Sequence, residues 1–235
     1  MGMKLLLTSQ MITNDSIAKA LAELLGRPFV SAKVTYILTS HNGATGEKSW
    51  LMENLNSIYR LGWAKFYMLD VAGMDGLPRS IWQRWLEDSD VIVMGGGANY
   101  ILSYWLERSG LMADLPQLLQ ERVYVGSSAG SMVATHKLCT SSEAMKAYAN
   151  GTWDFDLATL GVVGRASTAA LGLVDFNIRP HYMASHYPYI TDDLLAQVAK
   201  RTATPLYALD DDSALRVVDG DVEAVSEGNW KLFSA

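Results

Sequence analysis

From the amino terminus to about residue 135, apolar positions alternate between two spacings. Short continuous apolar runs at residues 4–7, 34–38, 66–71, 91–94 and 123–125 read as buried strands. Helical spacing fills the gaps between them. Asn14 or Asp15 caps a helix whose apolar positions are Ile17, Leu21, Leu24 and Leu25, and Gly26 stops it. Further helices are expected over 47–59, over 78–87 with Trp82, Trp85 and Leu86 on its apolar face, from Asn99 through Leu106, and over 115–119. Strands alternating with helices in this way give an α/β fold with a parallel sheet covered on both faces. The pattern then changes. Residues 139–164 carry no clear period and read as an excursion over a site. A strand is expected over 171–178, ending in Arg179-Pro180-His181, and a helix over 192–200. Short strands at 206–209 and 214–218 bracket Asp210-Asp211-Asp212. A hairpin at Asp219-Gly220 leads into a closing antiparallel ribbon. With no repeat or linker, residues 1–235 read as one domain.

Composition narrows the field. The 235 residues are 49% hydrophobic and 19% charged, enough apolar material for a substantial core. A net charge of −6, with no Lys/Arg cluster, argues against nucleic acid and membrane as partners. The single cysteine, Cys139, leaves no internal disulfide and no Cys-based zinc site. The apolar start is too short for a signal-peptide core and no stretch approaches a membrane span, so a cytoplasmic protein is expected.

The candidate chemistry centres on Gly126-Ser127-Ser128-Ala129-Gly130, which follows the strand at 123–125 and precedes helix-compatible residues. This is the G-x-S-x-G pattern in the strand–turn–helix setting it needs. A sharp turn there pushes the Ser128 hydroxyl out at the carboxyl edge of a sheet, and the flanking glycines remove Cβ atoms that would clash. The competing reading is a helix cap with Ser127 or Ser128 at the N-cap.

A serine hydroxyl needs a base, and the base a third group to orient it. His136 lies eight residues beyond Ser128 on the same helix, about 12 Å along the axis at the usual rise, out of reach. His41 sits in an Asn-Gly loop. His181 follows a strand end and a proline and is the favoured base, with His186 in reserve. The Asp210–Asp212 run offers the carboxylate, with all three members open as candidates. Gly95-Gly96-Gly97 at a strand end offers backbone N–H groups beside Ala129. A phosphate loop is disfavoured because neither G-x-G-x-x-G nor a Gly-Lys-Ser/Thr ending is present.

Together these motifs resemble the dipeptidase E and cyanophycinase family of serine peptidases. Gly96-Gly97-Ala98-Asn99 is similar to that family's Gly-Gly-Gly-Asn, Gly126 to Gly130 to its elbow, Pro180-His181 to its Pro-His, and residues 208–215 to its acidic segment. The resemblance runs from about residue 3 to 225, in the order Ser, His, acid. It implies a glutamine-amidotransferase-like (flavodoxin-like) three-layer sandwich and a cofactor-independent serine peptidase acting on small peptides. It also implies a homodimer or monomer, Ser128 as nucleophile, His181 as base, Asp211 as the triad acid, and the Gly97 and Ala129 amides as oxyanion hole. Asn99 and Arg179 are the expected substrate-binding residues, and Arg165 is a second cation suited to an acidic substrate. Three readings compete with the dipeptidase one: a cyanophycinase-like hydrolase of aspartyl–arginine polymer, a non-catalytic binding domain, and a metal site from His181, His186 and the Asp210–212 cluster.

Overall fold

The computed structural model describes residues 2–162 and 164–235. Its central sheet has seven strands in the order β3-β2-β4-β5-β1-β8-β9. Strands β1 (Lys4–Thr8), β2 (Lys33–Ile37), β3 (Lys65–Leu69), β4 (Val91–Met94) and β5 (Val123–Ser127) run parallel, and β8 (Ser213–Val218) and β9 (Asp221–Ser226) add an antiparallel edge. A smaller sheet of β6 (Asn177–Pro180), β7 (Leu206–Leu209) and β10 (Trp230–Phe233) has the order β10-β7-β6.

Side chains alternate along each strand, so the central sheet builds two cores. On one face Leu6, Val34, Val93 and Val125 pack with α1 (Asp15–Leu25) and with Ile58 of α2 (Ser49–Tyr59). On the other, Leu5, Leu7, Ile92 and Tyr124 pack with α3 (Ser80–Asp88), α4 (Asn99–Arg108), α5 (Leu111–Leu118) and α6 (Ala129–Val133). This is the expected sandwich. Local signals set its helix ends: Asn14 accepts a hydrogen bond from Ile17 N at 3.0 Å, and Gly26 closes α1 at φ 71°. Among the described residues no helix is long and apolar enough to cross a membrane.

Three expectations need correction. The strand over 171–178 is confined to Asn177–Pro180, because Leu171, Gly172 and Leu173 donate to the carbonyls of Val133, Thr135 and Ala134 at the end of α6. The segment is extended, but its backbone partners are helix-end oxygens. The terminal ribbon divides between the sheets: β9 pairs with β8, whereas β10 crosses to pair with β7. The excursion over 139–164, part of which (Val163, like Met1) lies outside the described residues, contains helix α7 (Ser142–Ala149), capped by Ser141. The last helix is α8 (Asp192–Thr202).

Candidate active site

Strand register assembles the site. Thr8 is paired with Ser127, and Gly126 with Met94, so β1, β5 and β4 end side by side. The next residues, Ser9, Ser128 and Gly95, therefore emerge together at the carboxyl edge, where open α/β sheets place ligands. In the small sheet Pro180 pairs with Leu209. That delivers His181 and the Asp210–Asp212 turn as neighbours. Thr8 also pairs with Ala214, which brings the turn to Ser9.

The elbow is strained as the pattern requires. Ser128 has φ 47° and its side chain caps nothing, which removes the helix-cap reading. A Cβ on Gly130 would lie 2.0 Å from the Met94 carbonyl oxygen, so only glycine fits there. Ser127, by contrast, is fully buried and accepts a hydrogen bond from Met11 N at 3.1 Å. Ser127 holds the turn, and Ser128 is presented by it.

His181 Nε2 lies 3.0 Å from Ser128 Oγ, and His181 Nδ1 lies 2.6 Å from Asp211 Oδ1. A carboxylate accepting at Nδ1 fixes that proton and leaves Nε2 to accept from the serine. His181 itself is held at φ 57°. Burial pushes the Asp211 carboxyl upward, but the His181 hydrogen bond and charge and the Ser9 hydroxyl outweigh it and hold it below the usual carboxylate range. Asp210 turns away, accepting from Ser213 Oγ at 2.6 Å and from Asp212 N at 3.1 Å. The Asp212 side chain is exposed. Of the three carboxylates, one meets the imidazole.

Ser9 is the site residue that the sequence did not single out. Its hydroxyl donates to Asp211 Oδ1 at 3.0 Å and accepts from His181 N at 2.8 Å, bridging carboxylate and histidine backbone. A serine in a Ser/Thr/Asn loop carries no signal of this. Its place follows only from the strand order.

Gly97 lines the same cavity as Ser128, Ala129 follows Ser128 in the chain, and neither N–H donates to an acceptor among the described residues. Ser40 braces the glycine run: its hydroxyl lies 2.9 and 2.6 Å from the Gly95 and Gly96 carbonyls, and its own carbonyl accepts from Ala98 N at 2.9 Å. A cavity of about 570 Å³ opens over these groups, reaching Asn99, Arg179, Glu143 and Lys146. Asn99 is buried, with Oδ1 accepting from Tyr100 N at 2.9 Å. Arg179 is 1% exposed and donates from Nη1 to Thr140 O at 2.9 Å, while Nε and Nη2 have no partner among the described residues. Burial lowers its pKa, partly offset by Tyr187, Tyr189 and Glu143. Arg165 instead stacks on Trp105 at 5.1 Å and does not line the cavity.

The other histidines are placed differently. His186 lines the cavity with its ring 6.1 Å from that of His181, His41 bonds to the Leu38 carbonyl, and His136 pairs with Asp175 at 2.7 Å. The described residues hold no group of three or more His, Cys, Asp or Glu placed to share a metal ion, so the His181–His186–aspartate metal reading has no geometry behind it. Burial pushes the Cys139 thiol up to about 11. Iodoacetamide at neutral pH is accordingly expected to leave Cys139 unmodified, as intact-mass measurement would show.

Known proteins add to this geometry. The chain is 29% identical over 157 residues to a protein named probable alpha-aspartyl dipeptidase from Drosophila melanogaster, covering 64% of this chain and 59% of that one. It is 28% identical over 154 residues to peptidase E of Streptomyces coelicolor, covering 63% and 57%. The matched stretch thus spans less than two thirds of the length of these relatives. A 1.5 Å crystal structure from Listeria monocytogenes EGD-e, provisionally assigned as a peptidase E, superposes with a TM-score of 0.73 at 19% identity, covering 97% of this chain and 100% of that one. A peptidase from an acI-B1 Actinobacterium gives 0.65 at 18% identity over 100% and 95%. These likenesses carry the fold. The model of peptidase family S51 matches residues 5–225, nearly the whole length, and the chain belongs to that family.

Proposed function

We propose that this chain is a serine peptidase that hydrolyses dipeptides and other small peptides with an acidic first residue. The observation that carries the reading is the relay of Asp211, His181 and Ser128, at 2.6 and 3.0 Å, above an open cavity. Ser128 Oγ attacks the scissile carbonyl carbon while its proton passes to His181 Nε2. The Gly97 and Ala129 amides stabilise the oxygen as it becomes negative. The carbon–nitrogen bond then breaks and the leaving amine takes the proton from His181. Water, deprotonated by the same imidazole, cleaves the acyl ester and restores the serine. Asp211 keeps the ring oriented and stabilises its charged form. Apart from substrate and water, these steps use the chain's own side chains and amides.

The charges in the cavity set the substrate. Arg179, with two unpartnered nitrogens, is a buried cation suited to a carboxylate, and Glu143 is suited to the free α-ammonium group of the same residue. The relatives named alpha-aspartyl dipeptidase and peptidase E support this reading. A cyanophycinase-like preference for arginine side chains fits less well, because Arg179 and Lys146 outnumber the single lining carboxylate, Glu143. Arg179→Met is expected to lower kcat/KM for Asp-Leu by about tenfold to a hundredfold, the worth of a charged hydrogen bond, and to erase discrimination against Asn-Leu. Equal hydrolysis of Asp-Leu and Asn-Leu by the parent protein would sink the acidic specificity.

A further inference from the structure

The cavity has two unlike halves, built by different elements. Met132 lies on α6, Arg179 on β6 next to Ile178 of the same core, and Glu143 and Lys146 on α7, whose cap Ser141 bonds to Tyr100 of α4 at 2.9 Å. Trp50 and Asn54 come from α2, which packs through Ile58 on the α1 face of the sheet, and Gly43, Ala44 and Thr45 from the β2–α2 connection, where Gly43 lies against Ala98 and Ile101 at the start of α4. Ser128 and Gly97 lie at the sheet edge between them. The first half is charged. The second has no ionisable side chain among these residues.

One side chain in the neutral half is unexplained by folding, and a second lies beside it. Trp50 is half-buried and lines the cavity, yet it packs into none of the apolar cores and pairs with no other aromatic ring among the described residues. Asn54, one turn further along α2, is only 6% exposed and also lines the cavity. Positions i and i+4 share a helix face, so the ring and the amide present one surface to the cavity. The wall is also preformed. Lys48 Nζ donates to the carbonyls of His41 and Ala44 at 2.6 and 2.7 Å, tying down the loop that leads into Trp50.

Given the acidic-substrate reading above, which assigns the charged half to the first residue, we propose that the Trp50–Asn54 face of α2 is the subsite for the residue on the leaving side of the scissile bond. It takes a residue with a flat or bulky apolar side chain, which stacks on the Trp50 ring, and Asn54 bonds that residue's main-chain polar groups. A glycine or acidic leaving residue gains nothing from the ring. Ring stacking in a partly desolvated pocket, added to buried apolar area, is worth about tenfold in affinity.

Kinetics and binding together test it, with Asp-Phe, Asp-Leu and Asp-Gly as probes. The parent protein is expected to favour Asp-Phe and Asp-Leu over Asp-Gly by about tenfold in kcat/KM. Trp50→Ala should collapse that ratio through a rise in KM for the bulky substrates, while Trp50→Phe retains most of it and both variants still prefer Asp to Asn in the first position. A parent without leaving-residue preference, or a Trp50→Ala effect that falls on the first residue instead, overturns the assignment. Calorimetry in the Ser128→Ala background separates this from the catalytic proposal. If the parent cleaves none of the peptides, the peptidase reading fails. Whether Asp-Phe still binds about tenfold more weakly to Ser128→Ala/Trp50→Ala than to Ser128→Ala then decides the subsite by itself, equal affinity refuting it.

Discussion

Asp211→Asn is expected to reduce turnover about ten-thousandfold, because an amide can hold the imidazole in the wrong tautomer while leaving the geometry intact. In the parent, Asp211 Oδ1 receives both His181 Nδ1 at 2.6 Å and the Ser9 hydroxyl at 3.0 Å. An asparagine nitrogen at that position would face two donors, and the imidazole would carry its proton on Nε2 in order to accept at Nδ1, leaving nothing to take the serine proton. The neighbouring carboxylates provide an internal comparison. Asp212→Asn alters a side chain that is exposed and makes no hydrogen bond among the described residues, so its rate should stay within about threefold of the parent, as for surface substitutions generally. Steady-state kinetics on one acidic dipeptide, with circular dichroism to confirm folding, distinguishes the positions. Comparable losses at 211 and 212 would mean that the acidic turn acts as a field and not through one hydrogen bond.

The second large effect is expected at Gly97. Its φ of 135° is a conformation that L side chains rarely adopt, and an added Cβ would lie 2.5 Å from the Ser40 carbonyl oxygen. That oxygen is fixed by Ala98 N, and the Ser40 hydroxyl in turn holds the Gly95 and Gly96 carbonyls. Gly97→Ala must therefore move the glycine run itself, and with it the amide proposed to face the developing oxyanion. Loss of one such donor costs about a hundredfold to a thousandfold in kcat. The binding role proposed for Arg179 belongs to a different element, β6, so kcat should fall far more than KM rises. Equal changes in both would instead indicate a cavity deformed throughout.

Much of this architecture was legible because its signals are local. The β4 run at Val91–Met94 and the β7 run at Leu206–Leu209 are short, continuous and bounded by glycine or acidic turns, and both match the expected limits. The G-x-S-x-G elbow could be read because the strain at Ser128 demands glycine at a fixed distance on either side. Ser9 could not be read. Its neighbours in the site are 172 and 202 residues away, and only the adjacency of β1 to both β5 and β8 brings them to it. Helix α7 was missed because its eight residues bury only Ala144, Met145 and Tyr148, too few positions to establish a period. Nothing in the sequence sets Trp50 apart. Its separation from every core cluster is a property of the folded chain. The segment before β6 misled for a related reason: an extended, apolar stretch reads as strand whether its backbone meets another strand or the open end of a helix.

The central claim is that Ser128 is an activated nucleophile. Incubating the folded protein with a fluorophosphonate and mapping the adduct by mass spectrometry tests it directly, with Ser128→Ala and His181→Ala as controls. The account predicts one adduct, on Ser128, absent from the first variant and strongly slowed in the second. A folded protein that takes no label, or takes it equally at Ser127 or Ser131, would contradict the proposed relay.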